Sequence, residues 1–308
     1  MDPYQPELHE PQTAGSRIRL GWIVAFLLGF AMVMFRAHPD AVLAAVNEIE
    51  TVLSLKSAPV PASPPKFSAE LAGKVDAMTP QAQAELLMDE SINHYAGAIE
   101  MIEPRLAGWR GNLQMTPKLQ QILATAMDSN DLRVRSAALE VYISAYNLDR
   151  STVGVSTLEE RVSEEPEARP WALWMLGALG NRGVEPVGVL REEMNYIHDS
   201  NEETRVWAVE GLSILGSDEA MEPLLDAMRN DPSPRVRERA ACGLAQAGMF
   251  TQEQRMSIVP RLIEMAEDSS LDTPTRTWVF HALQDITGTN AGTDPNAWRR
   301  WYEEHGRR

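Results

Sequence analysis

From about residue 68 onward, apolar positions recur at the three- and four-residue spacing of amphipathic helices, and no stretch alternates convincingly as a strand. Hydroxyl-proline pairs open several of these segments, as in Thr79-Pro80 and Thr116-Pro117, where a capping side chain precedes a proline at the first helical position. Gly180, Gly216 and Gly248 follow apolar runs and predict helix ends. The segments also resemble one another. Counting from Arg205, an apolar or small residue stands three, seven and ten places on, at Ala208, Leu212 and Leu215, with Gly216 next. The same frame fits anchors at Arg135, Arg169, Arg237 and Arg276, at steps of 34, 36, 32 and 39 residues. A turn with an aspartate precedes most anchors (Asp128, Asp199, Asp231, Asp268), and upstream lies a second amphipathic helix, often with a proline: Pro186, Pro223, Pro260. The unit is helix, turn, helix, and its repetition predicts an all-α fold, an α-solenoid over residues 68–308.

The N-terminal part is organised differently. Residues 1–19 hold a polar, proline-containing tail, and "LGWIVAFLLGFAMVMF" (20–35) runs sixteen residues without a charge before Arg36. As a helix it spans roughly 24 Å at about 1.5 Å per residue, short of a ~30 Å hydrocarbon core unless the flanking arginines snorkel. An uncleaved transmembrane anchor over 20–36 is favoured over a cleaved signal peptide or a buried core helix, because acidic residues lie in the leader, Arg36 directly follows the run and the small-residue stretch "VLAA" (42–45) lies far beyond it. Residues 37–67 then predict a juxtamembrane helix and a spacer, "SAPVPASPPK", with four prolines in ten residues. Arg17 and Arg19 before the span place the tail in the cytoplasm, giving a single-pass inner-membrane protein with an extracytoplasmic, periplasmic solenoid.

"DPSPRVRERAACGLAQAG" (231–248), "NEETRVWAVEGLSILG" (201–216) and "NDLRVRSAALEVY" (130–142) resemble bacterial HEAT repeats. They look most like the short form also found in phycobilisome-lyase proteins. The close, "DITGTNAGTDPNAWRRWYEEHG" (285–306), is similar to the ending of many bacterial HEAT-repeat proteins, in which an Asp-Pro precedes a last helix with two tryptophans. The resemblance covers roughly residues 115–305, and 68–114 more weakly. It implies an α-solenoid and, for the position-zero arginines, a ladder to the aspartates of neighbouring turns. For function it implies a scaffold or adaptor that holds a partner on a concave face; the family also hosts lyases, and a passive spacer fits the same fold.

Chemistry narrows this little. A net charge of −16 argues against a nucleic-acid partner, since phosphate contacts need a basic face. One cysteine, Cys242, excludes intramolecular disulfides and thiolate metal cages, and its apolar helical setting predicts an inert thiol. The six histidines have no ligand spacing, no motif for a cofactor or catalytic set is present, and doublets such as Glu192-Glu193 read as solvated faces. What recurs is tryptophan. Trp171, Trp207 and Trp278 all stand two places after an anchor arginine, off the packing stripe, and either fill grooves between helices or bind a partner. Arg133, Arg135, Arg235, Arg237 and Arg239 exceed what a ladder needs and form a local basic strip suited to an acidic peptide or protein, with Arg235 and Arg239 the candidates beside the tryptophans. In the last helix, Trp298 and Trp301 cap the exposed end of the core, with Asp294 and Pro295 starting it.

Overall fold

The structure, a computed structural model, describes residues 69–306. The chain divides into Met1–Ser63 and Pro64–Arg308, and the first unit lies outside the described residues. In the second unit α1 (Ala69–Val75) and α2 (Pro80–Ile92) are followed by two 3-10 turns and the short α3 (Leu106–Trp109). The pairs that follow are α4 (Pro117–Met127) with α5 (Leu132–Ala145), α6 (Thr152–Glu164) with α7 (Arg169–Asn181), and α8 (Pro186–Tyr196) with α9 (Glu202–Leu215). Next come α10 (Asp218–Asn230) with α11 (Pro234–Cys242), then α12 (Gln252–Ser257) and α13 (Val259–Glu267) with α14 (Thr273–Thr287), and finally α15 (Pro295–His305). The described residues contain helices and no strand, an arrangement consistent with an α-solenoid.

Local chemistry accounts for most boundaries. The Thr79 and Thr116 hydroxyls accept from the backbone N–H of Ala82 and Leu119 at 3.3 and 3.2 Å, each ahead of a proline that has no N–H to satisfy. Gly216 ends α9 in the left-handed conformation (φ 64°), and its N–H returns to Leu212 O. The other two predicted stops differ. α7 continues past Gly180 to Asn181, and a Cβ at Gly180 would run into Leu215 and Val189; the glycine serves close packing instead of a turn. The backbone reaches Gly248 through a π turn, Gly243–Ala247, closed by Gly248 N–H on Gly243 O at 2.9 Å. Of the three prolines placed inside first helices, only Pro223 is internal; Pro186 opens α8 and Pro260 lies in the first turn of α13.

The predicted stripe is the core. Ala172, Leu176, Leu179, Ala208, Leu212, Leu215, Ala240, Leu244, Val279, Leu283 and Ile286 are all buried. The second helices α7, α9, α11 and α14 pack on one another in a continuous row, while the first helices α6, α8, α10 and α13 pack on the second helices and touch one another little. Contact is tightest between α7 and α9, where a Cβ at Gly177 would clash with the Gly211 carbonyl. α5 departs from nearest-neighbour stacking. Its Leu139 and Ile143 belong to the core shared with α6–α15, whereas Val134, Ala137, Ala138 and Val141 belong to a separate core shared with α1–α4. Its first turns also reach the π turn that follows α11, through Arg135 on the Gln246 carbonyl. At the far end Asp294 caps α15, Trp298 is fully buried and donates to Gly292 O at 2.8 Å, and Trp301 packs edge-on beside it.

The expectation of a single-pass membrane protein needs correction. No helix among the described residues is long and apolar enough to cross a membrane; the longest, α14, has 15 residues, about 22 Å of helix, and its outer face is polar. The divisions 1–19, 20–36 and 37–67 on which that expectation rested lie outside the described residues.

Candidate functional site

The anchor arginines occupy one repeat position and yet do different things. Arg205 reaches the turn ahead of α11, its Nε and Nη2 on the Asp231 carboxylate at 2.8 and 3.1 Å and its Nη1 on Asp199 O at 2.9 Å. Arg237 repeats this one unit on, with Asp272 at 2.7 Å, the Thr275 hydroxyl at 2.8 Å and Asp231 O at 2.7 Å. These two rungs form the expected ladder, although the acid for Arg237 is the cap of α14; Asp268 pairs with Arg229 instead. Arg169 and Arg276 bond local carbonyls, of Val162 and Leu271, and Arg169 also lies over the Tyr196 ring.

Trp171, Trp207 and Trp278 are each half-buried and packed against the main core. Trp207 Nε1 donates to Glu203 Oε1 at 2.8 Å, and the other oxygen of Glu203 takes Arg235, which also stands 3.9 Å from Glu202. The Arg235 hydrogen bond holds the Glu203 carboxyl below its ordinary pKa and raises that of Arg235. Arg239 pairs with Glu210 at 2.9 Å, where burial pushes the carboxyl up and the arginine offsets part of the rise. So Glu203 joins Trp207 to Arg235, Glu210 holds Arg239, and the basic strip carries its own acids. Trp171 and Trp278 lie in other repeats and share none of these contacts.

Trp171 differs from the other two. Its indole Nε1 is buried without a hydrogen-bond partner, Tyr146 meets its ring edge-on at 5.3 Å, and the Arg161 guanidinium lies 5.4 Å above it. These groups line a cleft of about 590 Å³ between the loop after α5, the start of α6 and the start of α7. Leu158 forms part of its floor, and Val153 lines it while 65% exposed. Tyr146, Val153 and Arg161 were not singled out from the sequence. A signal existed for one of them: Val153 lies off the Val155, Leu158 and Val162 stripe of its helix, an apolar residue on the polar side.

Among the described residues no three His, Cys, Asp or Glu side chains gather as a metal site would require. Cys242 is half-buried, and burial pushes its thiol up, away from the thiolate that reactivity needs.

With this geometry in place, comparison with known proteins adds three findings. The family model described as HEAT repeats matches residues 155–245, without resolving the bacterial short form. No curated protein matches. Among solved structures, an engineered protein from the Northeast Structural Genomics Consortium is similar at 17% identity with a TM-score of 0.34, over 78% of this chain and 97% of that one. The match spans three helix pairs, from α6 to the end of α11, so this part of the chain consists of HEAT repeats.

Proposed function

We propose that this chain is a protein-interaction scaffold that docks an apolar residue of its partner in the cleft at Trp171. HEAT repeats are in general protein-interaction scaffolds, and the observation that carries the reading here is the unsatisfied indole. A buried N–H without an acceptor costs about 1–3 kcal/mol, and a peptide carbonyl entering the cleft would remove that cost. Val153 and Tyr146 offer exposed apolar surface at the mouth, and Arg161 supplies a cation at its rim. The site is thus built for an apolar anchor flanked by an acidic or carbonyl oxygen. The repeat-equivalent Trp207 and Trp278, with Arg235 and Arg239, extend the proposed surface as lesser contacts. There the arginines already hold Glu203 and Glu210, so a partner would exchange ion pairs instead of gaining new ones.

A photocrosslinking residue at Val153 tests this in cells. The expected result is a discrete adduct with one partner, depleted in a Trp171→Phe background that keeps the ring and removes the N–H. The same probe at Val187, 68% exposed on α8 and outside the cleft, serves as control. Equal labelling from both positions would rule out a docking cleft at Trp171.

A further inference from the structure

Two arginines meet in a second cleft, and neither is ion-paired, although Asp131 acts on Arg135 and Asp285 on Arg255 through space. Arg135 on α5 and Arg255 on α12 are 5% and 6% exposed, and both donate to one oxygen, the carbonyl of Gln246 in the π turn. Arg255 also bonds Gly248 O at 2.7 Å and Phe250 O at 3.2 Å. All their acceptors are thus backbone carbonyls. Arg135 Nε is buried with no partner at all, and its Nη1 bond to Gln246 leaves the Nε–Nη2 edge unused. That edge is the fork by which guanidinium grips a carboxylate or phosphate with two parallel bonds. Burial and the charge of Arg135 together pull Arg255 down to about 10, and burial lowers Arg135 as well.

Repeat logic sharpens the point. Arg135 holds the same frame position as Arg205 and Arg237, each of which has an aspartate from a following turn. Arg135 alone of the three lacks that acid and faces a second cation instead. Both guanidiniums line a cleft of about 780 Å³ between the start of α5 and the C-terminal ends of α11 and α14. Asn130 and Gln284 give neutral polar groups on its walls; Asp128 and Asp285 are its carboxylates, with Asp285 accepting from Gln246 Nε2 at 2.7 Å.

We propose that this cleft binds a small oxyanion, a phosphate or carboxylate group that enters between Arg135 and Arg255 and engages the free edge of Arg135. The two flanking aspartates limit it to a single anionic group, since a polyanion would meet their charge. The inference is independent of docking at Trp171, which lies on a different set of elements. The plain alternative is that both arginines only cap the carbonyls of the π turn and of the loop that follows it.

Thermal melting and calorimetry of the full chain, with inorganic phosphate in one arm and acetate in the other at constant ionic strength in chloride, separate the two. Saturable binding that raises Tm by about 5–10 °C at a hundredfold excess over Kd is expected in at least one arm, and the responding arm identifies the source. Arg135→Gln and Arg255→Gln should each abolish the response. If either fails to fold, Asp285→Asn decides, because it removes a flanking charge and leaves both guanidiniums in place: affinity should rise several-fold. No saturable response in either arm overturns the proposal, as does an unchanged response in both arginine variants or an unchanged affinity in Asp285→Asn.

Discussion

Glu193 shows how far a single residue can depart from its local pattern. It belongs to an acidic doublet that reads as a solvated face, yet it is 0% exposed, and its two carboxylate oxygens have no hydrogen-bond partner. Four residues after the buried Val189 it continues the inner stripe of α8, and the missing side chain at Gly211 leaves the space it fills. Burial, reinforced by the charge of Glu192, raises its pKa well above the ordinary glutamate value. A carboxyl whose folded pKa is raised binds its proton more tightly in the fold than in the unfolded chain. Its contribution to stability is therefore full below the ordinary glutamate pKa and is lost as pH rises through the folded value. Glu193→Gln, neutral at every pH and nearly the same shape, should melt higher than the parent at pH 8 and match it at pH 4, by about 2–4 °C for each kcal/mol recovered. Parallel melting curves across that range would show that the carboxyl is not held neutral. The sequence could not reveal this residue, because the space under Gly211 is set by another helix. Ala208, Leu212 and Leu215 were legible for the opposite reason: their role follows from the spacing within their own helix.

At the scale of elements, the helix pairs and their caps could be read from short local signals, and the deviations arise where a neighbour intervenes. Gly180 reads as a stop but is a packing glycine, and Pro186 reads as internal but opens a helix. The arginine ladder was legible as a recurring arginine and a recurring aspartate; which pairs close depends on the rotation between repeats. Only the Arg205–Asp231 and Arg237–Asp272 rungs form. The first is nearly dry, with side chains 10% and 5% exposed, so removing one partner leaves an uncompensated buried charge. Asp231→Ala should cost about 3–5 kcal/mol in denaturant unfolding, while the pair Arg205→Met with Asp231→Leu should recover most of that loss. A double variant as unstable as Asp231→Ala would assign the cost to the Asp231 bond with Ser233 N–H and not to the ion pair. The cleft at Trp171 was half legible: the tryptophan stands out by its repeat position, whereas Tyr146 arrives from the preceding unit and Arg161 from the polar side of the paired helix α6.

For the whole molecule, stacking makes stability a sum of repeat and interface contributions, so an end needs a cap. Trp298 is that cap's centre, fully buried between α15 and the last pair. Trp298→Ala should cost about 3–5 kcal/mol, and hydrogen exchange should show α13–α15 losing protection before α7–α11. Uniform loss across all helices would show a single cooperative unit. α5 contributes side chains to both cores and bonds the π turn after α11, so it links the first helices to the rest of the array. The central claim, that the array is an interaction scaffold working through the Trp171 cleft, has one direct test. Val153 is exposed in the first turn of α6, where an aspartate is favourable to the helix, so Val153→Asp changes the cleft mouth without disturbing the fold. Binding of the crosslinked partner to purified Val153→Asp, measured by calorimetry beside the parent, should weaken at least tenfold, about 1.4 kcal/mol, with Tm unchanged. An unaltered Kd at unaltered Tm would contradict the account.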